Sequence, residues 1–88
     1  DCSHGNSMKD YRNQPQVARD IANQIAEGSR VITSVMIESN LVEGNQKLAK
    51  DLSTLTRGQS VTDACIGWDD TVETLETLAA AVRKRREA

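Results

Sequence analysis

A chain of 88 residues can hold one small domain, and burial of roughly 60–65% of the unfolded surface leaves it a thin core. A net charge of −2 argues against nucleic acid or a membrane surface as the main partner. No run approaches the ~20 apolar residues of a membrane span, no signal peptide opens the chain, and the two cysteines form neither a disulfide framework nor a C-x-x-C pair, so a cytoplasmic setting is expected.

With no Phe, one Trp and one Tyr, the core has to be built from Ile, Val, Leu, Met and Ala, a weak inventory for an independent domain. Asp1-Cys2-Ser3 reads as the tail of a strand whose beginning is missing, so residues 1–88 are expected to be one piece of a larger single domain. After a polar loop through Asn13, Pro15 sits where a first helical turn tolerates it. Val17, Ile21 and Ile25 repeat at helical spacing and Gly28 supplies a stop, which predicts a helix from about 15 to 27. Val31 to Ile37 is short, β-branched and almost continuously apolar, like a strand buried on both faces of a parallel sheet. Ser39 to Ser60 is a long polar connection, with a short helix expected over Lys47 to Leu55. Ser60 to Ile66 is a second β-prone run. Asp70 and Glu73 then have capping-box spacing, and Val72, Leu75, Leu78, Ala79 and Val82 form an apolar stripe over a helix from about 70 to 86. The order strand end, helix, strand, loop, strand, helix implies an α/β fold with parallel strands and right-handed crossovers.

Three polar motifs stand at or within the expected strands: Ser3-His4-Gly5-Asn6-Ser7, the stretch Met36 to Gln46, and the stretch Gly58 to Trp68. They deliver His4, Glu38 and Asp63. Chemistry in parallel α/β folds is built at the carboxyl ends of strands, so these three residues are candidates for one divalent-metal site. An imidazole nitrogen with carboxylate oxygens suits Mn²⁺, Fe²⁺, Zn²⁺ or Co²⁺. The plainer readings are a hydrogen-bonding histidine and a Glu38 that turns out to solvent. Asp63 lies inside a β-prone run, where an unpaired buried carboxylate is costly and a neighbouring cation removes the cost. Cys2 and Cys65 stand two residues from His4 and Asp63, on the same side of an extended chain, and are read as small core residues. Glu43 is read as a solvated loop residue. Arg83, Lys84, Arg85 and Arg86 are read as cations at a helix C-terminus.

Over its whole length the chain resembles the C-terminal third or so of the class I 3-deoxy-D-arabino-heptulosonate-7-phosphate (DAHP) synthase family. The blocks Val35 to Gln46 and Ser60 to Trp68 carry the likeness, and Lys9-Asp10-Tyr11-Arg12-Asn13-Gln14-Pro15 leans towards the fungal branch. The resemblance implies part of a (β/α)₈ barrel, a fold of typically about 250 residues, of which this chain supplies the last three strand ends and the helices after them. It implies the first step of the shikimate pathway of aromatic amino acid biosynthesis. In that step phosphoenolpyruvate condenses with erythrose 4-phosphate and phosphate is released. It implies a divalent metal ion held by His4, Glu38 and Asp63 together with a cysteine from an early strand that this chain lacks. His4 and Asp63 are also the implied catalytic groups, assisting proton movement. Most phosphate-gripping Arg and Lys residues and the feedback region belong to segments not present here.

The competing expectation is a non-catalytic piece that rearranges into helices or self-associates, because three strands taken from a closed barrel expose two edges. Either way the remainder of the barrel or further copies of the chain are the expected macromolecular partners, in a homo-oligomer. DNA binding rests only on the four terminal cations.

Overall fold

Helices are the only long regular elements in the computed structural model, which describes residues 1–87. The first, α1, spans Gln14–Ala26 with Pro15 in its first turn, where a missing N–H removes no helical bond. Gly28 ends it at φ +111°, and the N–H groups of Gly28 and Ser29 donate back to the Ile25 and Gln24 carbonyls at 3.0 and 3.1 Å. The second, α2, spans Trp68–Glu87 and starts earlier than the spacing of Asp70 and Glu73 predicts. The Gly67 carbonyl accepts both the Thr71 N–H at 3.0 Å and the Thr71 hydroxyl at 2.7 Å, so the first turn closes ahead of Asp70. Asp69 and Asp70 therefore lie within that turn, at the positive end of the dipole, with Lys84, Arg85 and Arg86 at the negative end.

Ala22 and Ile25 of α1 and Leu78 and Ala81 of α2 form the buried cluster that joins the helices, flanked by Ile32, Val35 and Ile37. The small alanines allow close approach, and the flanking aliphatics compensate for the lack of aromatic residues. The face that α2 buries is not the one its apolar residues outline. Thr71, Thr74, Leu78 and Ala81 are buried, whereas Val72 and Leu75 face outward. Thr71 can be buried because its hydroxyl bonds to the Gly67 carbonyl.

None of the three expected strands forms a regular ladder among the described residues. Pairing is reduced to isolated bridges: Ser39 with Ile66 and Asn45 with Ser60 in parallel, and Gly44 with Cys65 antiparallel. Single backbone hydrogen bonds nonetheless link the three segments. The Cys2 N–H donates to the Met36 carbonyl at 2.9 Å, the Ile66 N–H to the Glu38 carbonyl at 3.0 Å, and the Asn40 N–H to the Ile66 carbonyl at 3.0 Å. A strand is defined by continuous pairing, and Val31 to Ile37 has the composition of one without a continuous neighbour. The helix expected over Lys47 to Leu55 is reduced to a 3₁₀ turn at Leu52–Thr54. There the Asp51 carboxylate takes the Ser53 N–H at 3.0 Å, a local bond that competes with helix propagation.

The Cα radius of gyration is 15.2 Å, against about 12 Å for a compact domain of this length. Val31, Leu41, Leu48 and Leu52 are all exposed. Ile66, 1% exposed, is the largest fully buried side chain and its backbone joins two segments. Ile66→Ala is expected to cost about 2–4 kcal/mol, and the outward-facing Leu75→Ala within about 0.5 kcal/mol. Urea denaturation followed by far-ultraviolet circular dichroism checks both, and equal losses at the two positions would contradict the packing described.

Candidate metal centre

His4, Glu38 and Asp63 come from three separate stretches of chain, yet one ligand atom from each lies within 4.8 Å of the others. His4 opens a 3₁₀ turn, His4–Ser7, at φ +51°. This left-handed backbone is uncommon outside glycine but is visited by histidine more than by most residues. The Lys9 N–H and the Ser7 hydroxyl both donate to the His4 carbonyl, at 2.7 and 3.1 Å, and hold that turn. His4 Nδ1 lies 3.0 Å from the Asp1 carboxylate, and Nε2 lies 3.7 Å from both Glu38 Oε1 and Asp63 Oδ2. The ring thus has one nitrogen beside the Asp1 carboxylate and the other turned towards the two acids.

Glu38 is held from several sides. The Gln14 side chain bonds both its N–H and its carbonyl, the Ile66 N–H shares that carbonyl, and the Ser3 hydroxyl donates to its carboxylate. Asp63 differs from expectation. Its side chain is 69% exposed, so burial cost is not what sets it apart. Its position comes from the long polar connection, whose residues clamp the loop ahead of it. Asn45 Nδ2 donates to the Thr62 carbonyl at 2.9 Å, the Gln46 N–H to the Ser60 carbonyl at 2.8 Å, and the Gln46 amide bonds Thr56 and Gln59. In the same loop Gly58, at φ +80°, passes close to Leu41, where a Cβ would come 2.8 Å from the Leu41 Cβ.

The cluster opens into a cavity of about 320 Å³ that Lys9, Tyr11 and Asn45 also line. Glu43 stays outside the cluster, in the exposed loop, with the Tyr11 hydroxyl 3.5 Å from its carboxylate. Cys2 and Cys65 are buried free thiols, outside the cluster, as the core reading has them. Burial pushes both thiols up, and Glu38 adds to the effect at Cys65. Asp1, Ser3 and Gln14 are the supporting residues that sequence reasoning overlooked. The signal for Gln14 was available: it is the polar member of the 14, 18, 22, 25 repeat, whose other positions are Ala18, Ala22 and Ile25.

One imidazole nitrogen and two carboxylates facing one point are a donor set that fits a borderline divalent ion.

The profile of the DAHP synthetase I family matches residues 1–76. The chain belongs to that family. It is 62% identical over 87 residues to a putative phospho-2-dehydro-3-deoxyheptonate aldolase of Schizosaccharomyces pombe, covering 98% of this chain and 24% of that protein. It is 54% identical over 90 residues to the phenylalanine-inhibited phospho-2-dehydro-3-deoxyheptonate aldolase of Saccharomyces cerevisiae, covering 100% and 24%. The solved structure of phospho-2-dehydro-3-deoxyheptonate aldolase from Francisella tularensis superposes with a TM-score of 0.87 at 55% identity, over 96% of this chain and 24% of that one. The chain thus spans about a quarter of the length of the relatives it matches, rather than the third expected.

The buried thiols give a direct check of the site's surroundings. Below the ordinary thiol pKa of 9.0, Cys2 and Cys65 should be alkylated by iodoacetamide much more slowly than a free cysteine, because both pKa values are raised and the thiolate is the reactive form. Denaturant should remove the difference. Rapid labelling of either thiol in the folded chain, read by mass spectrometry, would contradict its burial.

Proposed function

We propose that this chain is the metal-binding part of a DAHP synthase, whose whole barrel condenses phosphoenolpyruvate with erythrose 4-phosphate at the first step of aromatic biosynthesis. The convergence of His4, Glu38 and Asp63 within 4.8 Å carries the reading, and the relatives' names support the reaction assigned to the parent. His4 Nε2, Glu38 and Asp63 hold Mn²⁺, Fe²⁺, Co²⁺ or Zn²⁺. Once bound, the ion supplies Lewis acidity and a template for the aldehyde oxygen of erythrose 4-phosphate. The residues contribute the rest. The Asp1 carboxylate, 3.0 Å from Nδ1, holds the ring with Nε2 towards the other two ligands. Asp63, the most exposed of the three, is the group that accepts or returns a proton at its carboxylate as substrate enters, with His4 beside it. The two acids concentrate negative charge where a cation binds and leave the binding of substrate phosphates to other parts of the barrel.

A second reading has its own observation in favour. The exposed aliphatic side chains and the radius of gyration of 15.2 Å favour a chain that, alone, is catalytically inactive and associates with its remaining barrel or with further copies of itself. The two readings are compatible: metal binding belongs to this chain, and turnover belongs to the completed barrel.

Titrating Mn²⁺ into the 88-residue chain and following the electron paramagnetic resonance of the free ion tests the metal reading. Saturable uptake of one ion per chain is expected, and Asp63→Ala should weaken it at least about tenfold, the loss of a charged donor being worth about 1.4 kcal/mol or more. Uptake that is absent at millimolar Mn²⁺, or identical in Asp63→Ala, would sink it.

A further inference from the structure

The Gln14 side chain is fully buried at the start of α1, and its amide meets a single residue twice. Nε2 donates to the Glu38 carbonyl at 3.0 Å, and Oε1 accepts the Glu38 N–H at 2.8 Å. A planar amide that engages both polar groups of one residue copies the pairing a neighbouring β-strand residue provides. One bond would fix a distance. Two fix where Glu38 sits along the extended chain and how it is rotated about that chain, and so the side on which its carboxylate leaves.

The surroundings make this pairing consequential. Val31 to Ile37 forms no regular strand, so a continuous ladder does not orient the residue that follows it. Nor does helix packing require a polar group at position 14, since Ala18, Ala22 and Ile25 continue the same buried face. An apolar side chain there would take away both bonds that Glu38 receives from α1.

We propose that Gln14 is a positioning residue of the metal centre: through the Glu38 backbone it aims the Glu38 carboxylate at the point shared with His4 Nε2 and Asp63. It acts from the end of α1 that faces the site and touches neither substrate nor ion. The inference rests on the metal-binding reading given above.

A double-mutant cycle on the 88-residue chain tests it, with Mn²⁺ as the probe and free-ion paramagnetic resonance as the readout. Gln14→Met keeps the length and removes both bonds. It should weaken Mn²⁺ binding about 10- to 100-fold, the scale on which partners of metal ligands act. Amide exchange at Glu38 should accelerate in the same variant. In the Glu38→Gln background the same change should alter Mn²⁺ affinity by less than about twofold, because the carboxylate it positions is gone. Gln14→Asn, which retains both polar groups but is too short to reach both partners, serves if Gln14→Met does not fold and is judged by the same criteria. An equal loss in both backgrounds would overturn the inference by assigning Gln14 a general structural role. Unchanged affinity with a freely exchanging Glu38 amide would overturn it too, while leaving the metal reading intact. If the wild-type chain takes up no Mn²⁺, the metal reading falls and takes this inference with it.

Discussion

At the candidate metal centre, Glu38 is the residue through which separate stretches of chain are tied together. Its N–H goes to Gln14, its carbonyl accepts from Gln14 and from Ile66, and its carboxylate accepts the Ser3 hydroxyl. Those partners come from the start of α1, the segment before α2 and the first residues of the chain. A single residue is therefore the junction of the pieces that deliver His4, Glu38 and Asp63. Polar bonds of this kind are each worth only about 0.5–1.5 kcal/mol net, while a polar group left unpaired in a fully buried place costs about 1–3 kcal/mol, and these bonds are only partly buried.

The helices serve this junction rather than the reverse. Ala22, Ile25, Leu78 and Ala81 bring α1 and α2 together, and Ile32, Val35 and Ile37 lay the extended segment along them. That arrangement carries Gln14 to one end of the segment. The long polar connection has a matching task. Asn45 and Gln46 use side-chain amides to clamp the loop from Thr56 to Thr62, and Asp63 follows directly from it. The order of the site is set by amides of Gln and Asn as much as by hydrophobic burial, which suits a chain with so small an apolar inventory.

Much of this was legible in the sequence. The stop at Gly28 and the place of Pro15 follow from local backbone chemistry, and α1 forms within a residue or so of its expected bounds. His4, Glu38 and Asp63 were selected as residues delivered by successive polar motifs, and they are the three that meet. The burial expected of Asp63 is absent, since its side chain is exposed. The buried face of α2 differs from the apolar stripe because Thr71 and Thr74, which count as polar in a periodicity reading, are buried. The strands were overstated for a different reason: β-branched composition reports what a segment can pair with, not whether a neighbour is there.

The sequence by itself determined the local elements and the identity of the candidate ligands, because helix caps, glycine dihedrals and metal-donor chemistry are properties of a few adjacent atoms. Only the tertiary structure decided which pieces pair, which face of α2 is buried, and that Gln14 rather than a continuous β-ladder holds Glu38. These depend on contacts between residues distant in sequence, 24 positions apart for Gln14 and Glu38, which no local preference specifies.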